Sequence, residues 1–147
     1  MIRRAVAGDI SDIARLAVQL GGAIELAELP ARLQRIIEHA SHAVFVAEGE
    51  AGLCGFAAAE HRLLLPFGEW VELMSLVVDE DARRQGYGAQ LVGAVEAWTV
   101  RRGVAQVLVR SSVTRTEAHA FYPSLGYEHL KTQHVYRKTT AVPGGQA

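Results

Sequence analysis

The sequence predicts a mixed α/β fold in which helices cover a mixed sheet. Segments with strand and helix patterns follow one another in the order β-α-α-β-β-β-α-β-α-β. The stretch Trp70 to Val78 is nearly continuously apolar, which is typical of a central strand. With 147 residues, half of them hydrophobic, the chain can bury one core. Without a linker or repeat in the pattern, we expect one domain over residues 1–140 and a flexible tail at 141–147.

The first forty residues predict a strand and two helices. Ile2 to Ala5 is a short strand candidate, and Asp9 is a typical N-cap residue for the helix that follows it. The apolar residues of that first helix recur at helical spacing: Ile10, Ile13, Ala14, Ala17 and Leu20. The second helix is indicated by Leu29, Leu33, Ile36 and Ile37, with Pro30 in its first turn, where a proline is tolerated.

The middle of the chain predicts three consecutive strands. Ala43 to Glu48 and Leu53 to His61 flank a glycine-containing turn and read as a hairpin. A loop at 63–68, with Pro66 and Gly68, leads to the strand from Trp70 to Val78. The apolar side chains around this loop could line an acceptor opening, pack on the core or form a dimer contact: 63–65, Phe67 and Trp70.

The last third predicts helix, strand, helix and a final strand region. An amphipathic stretch from Ala89 to Arg102 ends in two arginines and a glycine, which suits a helix C-terminus. Val104 to Arg110 reads as a strand, Thr116 to Leu125 as a short helix and Tyr127 to Lys138 as one or two strands.

Composition limits the classes of partner. The net charge is −1, the pI is about 6.6 and no run is rich in Lys and Arg, so we do not expect nucleic-acid binding. We see neither a signal peptide nor an apolar run long enough for a bilayer, so we expect a cytoplasmic protein without a membrane partner. The single cysteine, Cys54, lies in an apolar segment, which favours a buried thiol.

Charge is divided unevenly along the chain. Residues 1–82 contain 6 Lys and Arg against 13 Asp and Glu, whereas residues 83–147 contain 9 against 3. The resulting net charges of −7 and +6 suit an acidic part for a cationic substrate and a basic part for an anionic ligand, although chance could also produce them.

The glycine loop Arg83-Arg84-Gln85-Gly86-Tyr87-Gly88 lies between the central strand and the next helix. A helix N-terminus offers unpaired N–H groups with a partial positive charge, and glycine lets an anion approach the backbone closely. Two arginines add formal charge that can pair with phosphate. The loop therefore predicts a phosphate site, with a simple strand-to-helix turn as the alternative.

Two common phosphate loops do not fit this segment. A Walker A loop requires Lys-Ser/Thr after its last glycine, but Gly88 is followed by Ala89-Gln90. A dinucleotide fingerprint requires a third glycine at position 91, which is Leu91 here.

The chain resembles the GNAT family of N-acetyltransferases at two motifs. The family pattern Arg/Gln-x-x-Gly-x-Gly/Ala between a central strand and a helix is met at residues 83–88. A second pattern, Ala-x-x-Phe-Tyr followed by Gly-Phe/Tyr, is met at residues 118–127. Two positions depart from it, since Arg115 stands where asparagine is common and Pro123 follows the tyrosine. The resemblance covers almost the whole chain and implies a mixed, mostly antiparallel sheet flanked by helices.

The resemblance implies acetyl-coenzyme A as co-substrate and assigns residues to it. Its diphosphate would lie on the N–H groups of Gln85, Gly86, Tyr87, Gly88 and Ala89, assisted by Arg83 and Arg84. Backbone groups of Leu76, Val77 and Val78 would pair with the pantetheine arm like an added strand, and one N–H would polarise the thioester carbonyl. Arg115 would contact the coenzyme.

The implied reaction is direct attack of a primary amine on the thioester. An alkylammonium has a pKa of about 10.4 and must first lose a proton, for which Glu72 is the candidate base and Glu69 the fallback. By position, Tyr122 matches the family's general acid for the leaving thiolate. A salt-bridged Glu72 and a packed Tyr122 are the structural alternatives. His39 and His42 lack further ligands at metal spacing, so no metal site is predicted.

The acceptor carries no motif of its own. The acidic balance of residues 1–82 favours a polycationic small molecule or a lysine side chain as acceptor, and a homodimer is possible. A different class of function stays open from sequence alone, namely an acyl-coenzyme A-binding regulatory domain or dimeric interaction module without turnover.

Overall fold

The computed structural model describes residues 1–21, 23–112, 114 and 116–142. The chain divides into two compact units, Met1–Arg110 and Ser111–Ala147. The expected single domain over residues 1–140 stays a prediction. Within the described residues, no helix is long and apolar enough to cross a membrane.

The first unit contains a five-stranded sheet and three α-helices. The strands are β1 (Ile2–Arg4), β2 (His42–Gly49), β3 (Gly52–Leu64), β4 (Gly68–Val78) and β5 (Val107–Val109). The helices are α1 (Ile10–Ala17), α2 (Leu29–Glu38) and α3 (Tyr87–Arg101). The sheet order is β1-β2-β3-β4-β5, with antiparallel pairs throughout except for the parallel pair β4–β5. The predicted mixed, mostly antiparallel sheet is therefore confirmed.

Two apolar layers enclose the sheet. Ile13, Leu16 and Leu33 from α1 and α2 pack in one cluster with Val46 and Phe56 of the sheet. On the opposite face lie the buried residues of α3, including Leu91, which reaches Gly55 of β3. Because side chains alternate along a strand, Val44 and Val46 face α1 and α2 while Phe45 faces α3. Burial on both faces explains the nearly continuous apolar runs.

The strands β3 and β4 are longer than predicted. Leu63 and Leu64 still pair with Glu69 and Gly68, so the turn between the strands covers only 65–67. At this tip Leu63, Leu65 and Phe67 are 81%, 103% and 77% exposed, which rules out packing on the core.

Asp9 occupies the N-cap position of α1, as predicted, but its side chain makes no capping hydrogen bond to that helix. A 3-10 turn over Ala7–Asp9 precedes α1. The Asp9 carboxylate accepts a hydrogen bond from the N–H of Val6 at 2.8 Å and forms a two-point ion pair with Arg3. Together the 3-10 turn and the Arg3 pair, both outside α1, give this buried carboxylate its partners.

The second unit contains α4 (Thr116–Ser124). The helix includes Pro123 and is followed by Gly126, which has φ +90°. The predicted strands from Tyr127 to Lys138 are wrong, because that stretch has no strand assignment. Leu130, Val135 and Tyr136 there are exposed, and an apolar pattern alone cannot make a strand without a neighbouring backbone to bond. Arg115 and residues 143–147 of the expected tail lie outside the described residues.

Candidate active site

The strands β4 and β5 separate partway along β4, on the side of the sheet that ends in β5. Their parallel pairing comprises only Val71, Leu73 and the Glu72 between them, matched to residues 107–109. Next to this point Ala58 pairs with Ser75 and Ala59 with Leu73, so Met74 is an extra residue on β4. Such a bulge bends its strand and re-aims the backbone beyond it. The edge of β4 from 75 to 78 is therefore outside the β4–β5 pairing.

Backbone groups of this edge alternate in direction. The N–H of Asp79 donates to the carbonyl of Cys54 on β3 at 2.7 Å. Since alternate residues of an antiparallel pair bond to the same neighbour, Val77 also directs its N–H and C=O towards β3. Leu76 and Val78 direct theirs the other way, towards the side that β5 has left. Of the three residues predicted to offer backbone groups, these two have the suitable orientation.

The glycine loop forms the start of α3. Gly86 is the N-cap residue, with φ +83°, and its carbonyl accepts the first helical hydrogen bond from the Gln90 N–H at 3.1 Å. The N–H groups of Tyr87, Gly88 and Ala89 precede that bond and have no acceptor within the helix. The helix begins at Tyr87, two residues before the predicted start, because the left-handed glycine sets the cap.

Arg84 of the same loop has φ +68°, a conformation that costs a non-glycine residue about 1–2 kcal/mol. The strained residue is exposed, as are Arg83 and Gln85. Two adjacent exposed arginines thus precede the unpaired N–H groups of the helix start, a combination that attracts anions.

Contacts from α1 and the turn after it hold the segment that joins β4 to the glycine loop. Arg15 donates to Asp79, the residue after β4, at 2.8 Å and to the Leu53 carbonyl at 2.8 Å. The Glu80 N–H donates to the side chain of Gln19 at 3.3 Å. The Arg15 guanidinium, and next the Asp81 N–H, hold the pKa of Asp79 below its usual value. The segment that leads to the glycine loop therefore begins at Asp79, whose carboxylate is held by the ion pair with Arg15.

Cys54 is buried, as predicted from its apolar segment. Burial is the largest cause that raises the pKa of its thiol. Its Sγ donates to the Ala47 carbonyl at 3.5 Å. The thiol is thus held in its protonated form at neutral pH.

Glu72 lies at the point where β4 and β5 part, and it is only 8% exposed. Three donors converge on its Oε1: Arg110 Nε at 3.2 Å, Arg62 Nη1 at 3.3 Å and Trp70 Nε1 at 3.5 Å. Among the described residues, no donor contacts Oε2, and no side-chain oxygen there is both fully buried and without a partner. The carboxylate is therefore fixed through one oxygen while the other reaches solvent.

Glu69, the alternative base, is in a different environment. Its carboxylate bonds to His61 Nε2 at 2.7 Å, and Arg102 donates to the other ring nitrogen at 2.8 Å. Because residues 69 and 72 differ by an odd number of positions, they lie on opposite faces of β4. The structure does not bring the two carboxylates together.

Tyr122 lies on α4 among aromatic rings. Its ring centroid is 5.1 Å from that of Phe121 and 5.8 Å from that of Tyr127, both edge-on. Its carbonyl accepts hydrogen bonds from the N–H groups of Leu125 and Tyr127 at 3.0 and 3.1 Å. These bonds close the helix at Ser124, directly after Pro123 and one residue before the predicted end.

Sequence reasoning missed the partners of Glu72 and the anchor of the loop. Arg62 and Glu60 are two positions apart on β3, so their side chains lie on the same face of the strand. This spacing could have indicated Arg62 from the sequence. Arg110 and Arg15 come from distant segments, so no local pattern indicates them.

Comparison with known proteins places these features in context. The family model described as "Acetyltransferase (GNAT) domain" matches residues 40–129. The chain is 26% identical over 115 residues to an aminoglycoside N(6')-acetyltransferase type 1 of Serratia marcescens, covering 74% of this chain and 78% of that protein.

Two solved structures that contain CoA or a CoA-based bisubstrate analogue have a fold similar to that of this chain. The aminoglycoside N-acetyltransferase AAC(6')-Iy in complex with CoA has a TM-score of 0.87 at 24% identity, with 95% of each chain covered. The same enzyme in complex with the bisubstrate analogue CoA-S-monomethyl-acetylneamine has a TM-score of 0.84 at 26% identity, with 95% of this chain and 98% of that chain covered.

Proposed function

The chain belongs to the GNAT family and is an acetyl-CoA-dependent N-acetyltransferase, and on this premise we propose that it acetylates a primary amine directly, with Glu72 as proton acceptor and Tyr122 as proton donor. One observation carries the proposal. Glu72 stands at the opening between β4 and β5 with Oε1 fixed by three donors and Oε2 towards solvent. A carboxylate in this state can accept a proton without moving.

The residues at the opening fit the co-substrate, which supplies the activated thioester. The N–H groups of residues 87–89 and the guanidinium groups of Arg83 and Arg84 would hold its diphosphate, with Gln85 and Gly86 completing the loop. A side chain at Gly86 would meet no atom within 4 Å, so the space over the loop is open. Backbone groups of Leu76 and Val78 would bind the pantetheine arm as an added strand. The contact of Arg115 with the coenzyme is likewise a proposal.

Proton transfer is the step in which Glu72 would act. A primary amine at neutral pH is mostly ammonium, since its reference pKa is about 10.4, and the cation has no lone pair for attack. Glu72 would draw the ammonium towards Oε2 and accept one proton, directly or through a water molecule. The nitrogen then forms the amide bond as the carbon–sulfur bond breaks. Arg62 and Arg110 would hold the carboxylate in one orientation during this exchange.

The departing thiolate would take its proton from Tyr122. A phenol with a reference pKa of about 10 is a proton donor at neutral pH. The rings of Phe121 and Tyr127 restrict the side chain, which favours a fixed hydroxyl position. From ammonium to amide the nitrogen loses two protons: Glu72 accepts the first and releases it to solvent, and the second, lost as the C–N bond forms, restores the phenol of Tyr122 after it has protonated the sulfur. The overall reaction therefore releases one proton.

We propose the class of acceptor on the basis of the relatives. Two of these relatives are aminoglycoside N-acetyltransferases, and aminoglycosides are polycationic amines. An aminoglycoside-like small molecule or a lysine side chain is therefore the first candidate for this chain. Cytoplasmic location and a homodimer stay predictions, which fractionation and light scattering would test.

The test measures thiol release from acetyl-CoA with a panel of amines. Glu72→Gln is expected to lower kcat about a hundredfold or more, and Tyr122→Phe by at least about tenfold, since positioned proton transfer contributes about 10²–10⁴-fold. Matched controls are Glu50→Gln in the exposed β2–β3 turn and Tyr136→Phe, which is 89% exposed. Thermal stabilisation by CoA should persist in all four variants. Undiminished kcat in both catalytic variants would refute the assignments.

A further inference from the structure

A cavity of about 260 Å³ lies between the second half of α2 and the start of β2. It is lined by Arg32, Arg35, Ile36, His39 and His42. Four of these five side chains carry nitrogen donors, and only Ile36 is apolar. The carbon atoms of these side chains and Ile36 form most of the lining surface, and the nitrogen donors are set into it.

One of the two arginines that line the cavity has no acidic partner in the part of the chain that the structure describes. Arg35 has no ion-pair partner among the described residues, and the only one of Arg32 is the exposed Glu28 at 3.0 Å. Glu28 offsets the charge of Arg32, and Glu60 lies 3.0 Å from His42 at the edge of the cavity. Arg35 is therefore the guanidinium that an anion could bind. The Ser41 N–H donates to His39 Nδ1 at 3.2 Å, so a neutral His39 has its proton on Nε2 and is a further donor.

A chain of polar contacts connects the cavity with Glu72. His42 Nε2 lies 3.0 Å from Glu60 Oε2, and Arg62 Nε lies 3.4 Å from the other oxygen of Glu60. Arg62 then reaches Glu72 at 3.3 Å. His42, Glu60 and Glu72 are directly paired across β2, β3 and β4, so they lie on one face of the sheet. Two strand spacings place the cavity about 10 Å from Glu72.

We propose that this cavity is a binding site for a small oxyanion, a carboxylate or phosphate group. The volume equals that of about nine water molecules at about 30 Å³ each, which suits one such group with part of its hydration shell. Arginine binds both groups through paired N–H donors, and Arg35 has that capacity unused. The oxyanion is either a free anion or the negatively charged end of the acceptor, whose amine would then reach Glu72.

The first experiment uses inorganic phosphate as the probe and needs no turnover. Titration into the protein is expected to shift the imidazole NMR signals of His39 and His42 at millimolar concentrations. Arg32→Gln combined with Arg35→Gln should weaken this binding about tenfold or more. Arg101→Gln is the matched control, because Arg101 is also an exposed arginine in the last turn of a helix. Absent shifts, or equal binding in the double variant, would overturn the site.

The second experiment identifies the source of the oxyanion and rests on the proposed function. Phosphate inhibition that is competitive with the amine would support an acceptor bearing its own carboxylate or phosphate. A phosphate effect that is not competitive would support a separate anion. Because the NMR measurement is independent of catalysis, loss of the anion site would leave the proposed acetyl transfer untouched, and failure of Glu72→Gln to affect kcat would leave the anion site untouched.

Discussion

Arg110 follows Val109, the last residue of β5 that pairs with β4, and donates its Nε–H to Oε1 of Glu72 at 3.2 Å. The ion pair therefore links the first residue after the pairing on β5 to a residue within the paired part of β4. Burial of Glu72 would be costly without such a partner. The contact with Arg110 therefore offsets the cost of burying the Glu72 carboxylate and also fixes its orientation.

Arg110→Gln should lower kcat about tenfold while leaving the KM for acetyl-CoA nearly unchanged. Loss of one of the two guanidinium groups would let the Glu72 carboxylate rotate away from the amine. Arg110→Lys should recover part of the rate. In a Glu72→Gln background Arg110→Gln should have no further effect, because its action depends on that carboxylate. Additive losses in the double variant would exclude a positioning role.

Gly86→Ala should destabilise the fold by about 1–2 kcal/mol and weaken CoA binding. The position has φ +83° and open space around a new Cβ, so the loss comes from the left-handed backbone alone. Gly93→Ala in the same helix is the control, since it also meets no atom within 4 Å but has ordinary helical geometry. That change should stabilise by about 0.5–1 kcal/mol. Urea unfolding and CoA-dependent thermal shifts measure both effects, and equal behaviour of the two variants would contradict the prediction.

Gly55→Ala should disturb the open edge of β4 from the opposite side. An added Cβ would lie 2.7 Å from the Val77 carbonyl oxygen and 3.1 Å from Leu91 Cδ1, so the backbone of β4 must move. We expect a loss of stability of about 1–3 kcal/mol, as for an overpacked core, and weaker CoA binding. Gly8→Ala, which meets nothing within 4 Å, serves as control. Unchanged CoA affinity in Gly55→Ala would argue against this edge as the coenzyme site.

Asp9→Asn should destabilise the protein by about 2 kcal/mol at neutral pH, since charge-assisted hydrogen bonds contribute about 1.5–3 kcal/mol. The Arg3 guanidinium is the largest cause that holds the pKa of Asp9 below its usual value. A carboxyl whose folded pKa is lowered stabilises above its unfolded pKa, about 3.9, and loses this contribution as the pH falls through the folded value. The difference between wild type and variant should therefore shrink in acid.

Urea unfolding at neutral pH and below pH 4 checks this dependence. Asp12→Asn is the control, because its side chain is 45% exposed and its contact with Arg15 is long, at 3.4 Å. Its effect should stay within about 0.5 kcal/mol at either pH. A constant Asp9→Asn difference across the pH range would show that the Arg3 pair contributes nothing.

Local patterns predicted most of the sheet and helices but not their ends. The helical spacing of apolar residues and the first-turn Pro30 were sufficient to predict α2, because both act within that one helix. By contrast, the predicted strand from Val104 to Arg110 shortened to Val107–Val109, since its length depends on how far β4 stays beside it. The predicted strands at Tyr127 to Lys138 do not form for the same reason: the segment has an apolar pattern but no neighbouring strand to pair with.

The sequence by itself determined the family, the mixed sheet and the glycine loop, because two local motifs and the periodicity of apolar residues encode them. Only the tertiary structure decided the state of Glu72. Its partners Arg62 and Arg110 are 10 and 38 residues away along the chain. It likewise decided that Leu76 and Val78, but not Val77, direct their backbone groups towards the opening. Strand register and a bulge set both features, and these arise from pairing between distant segments.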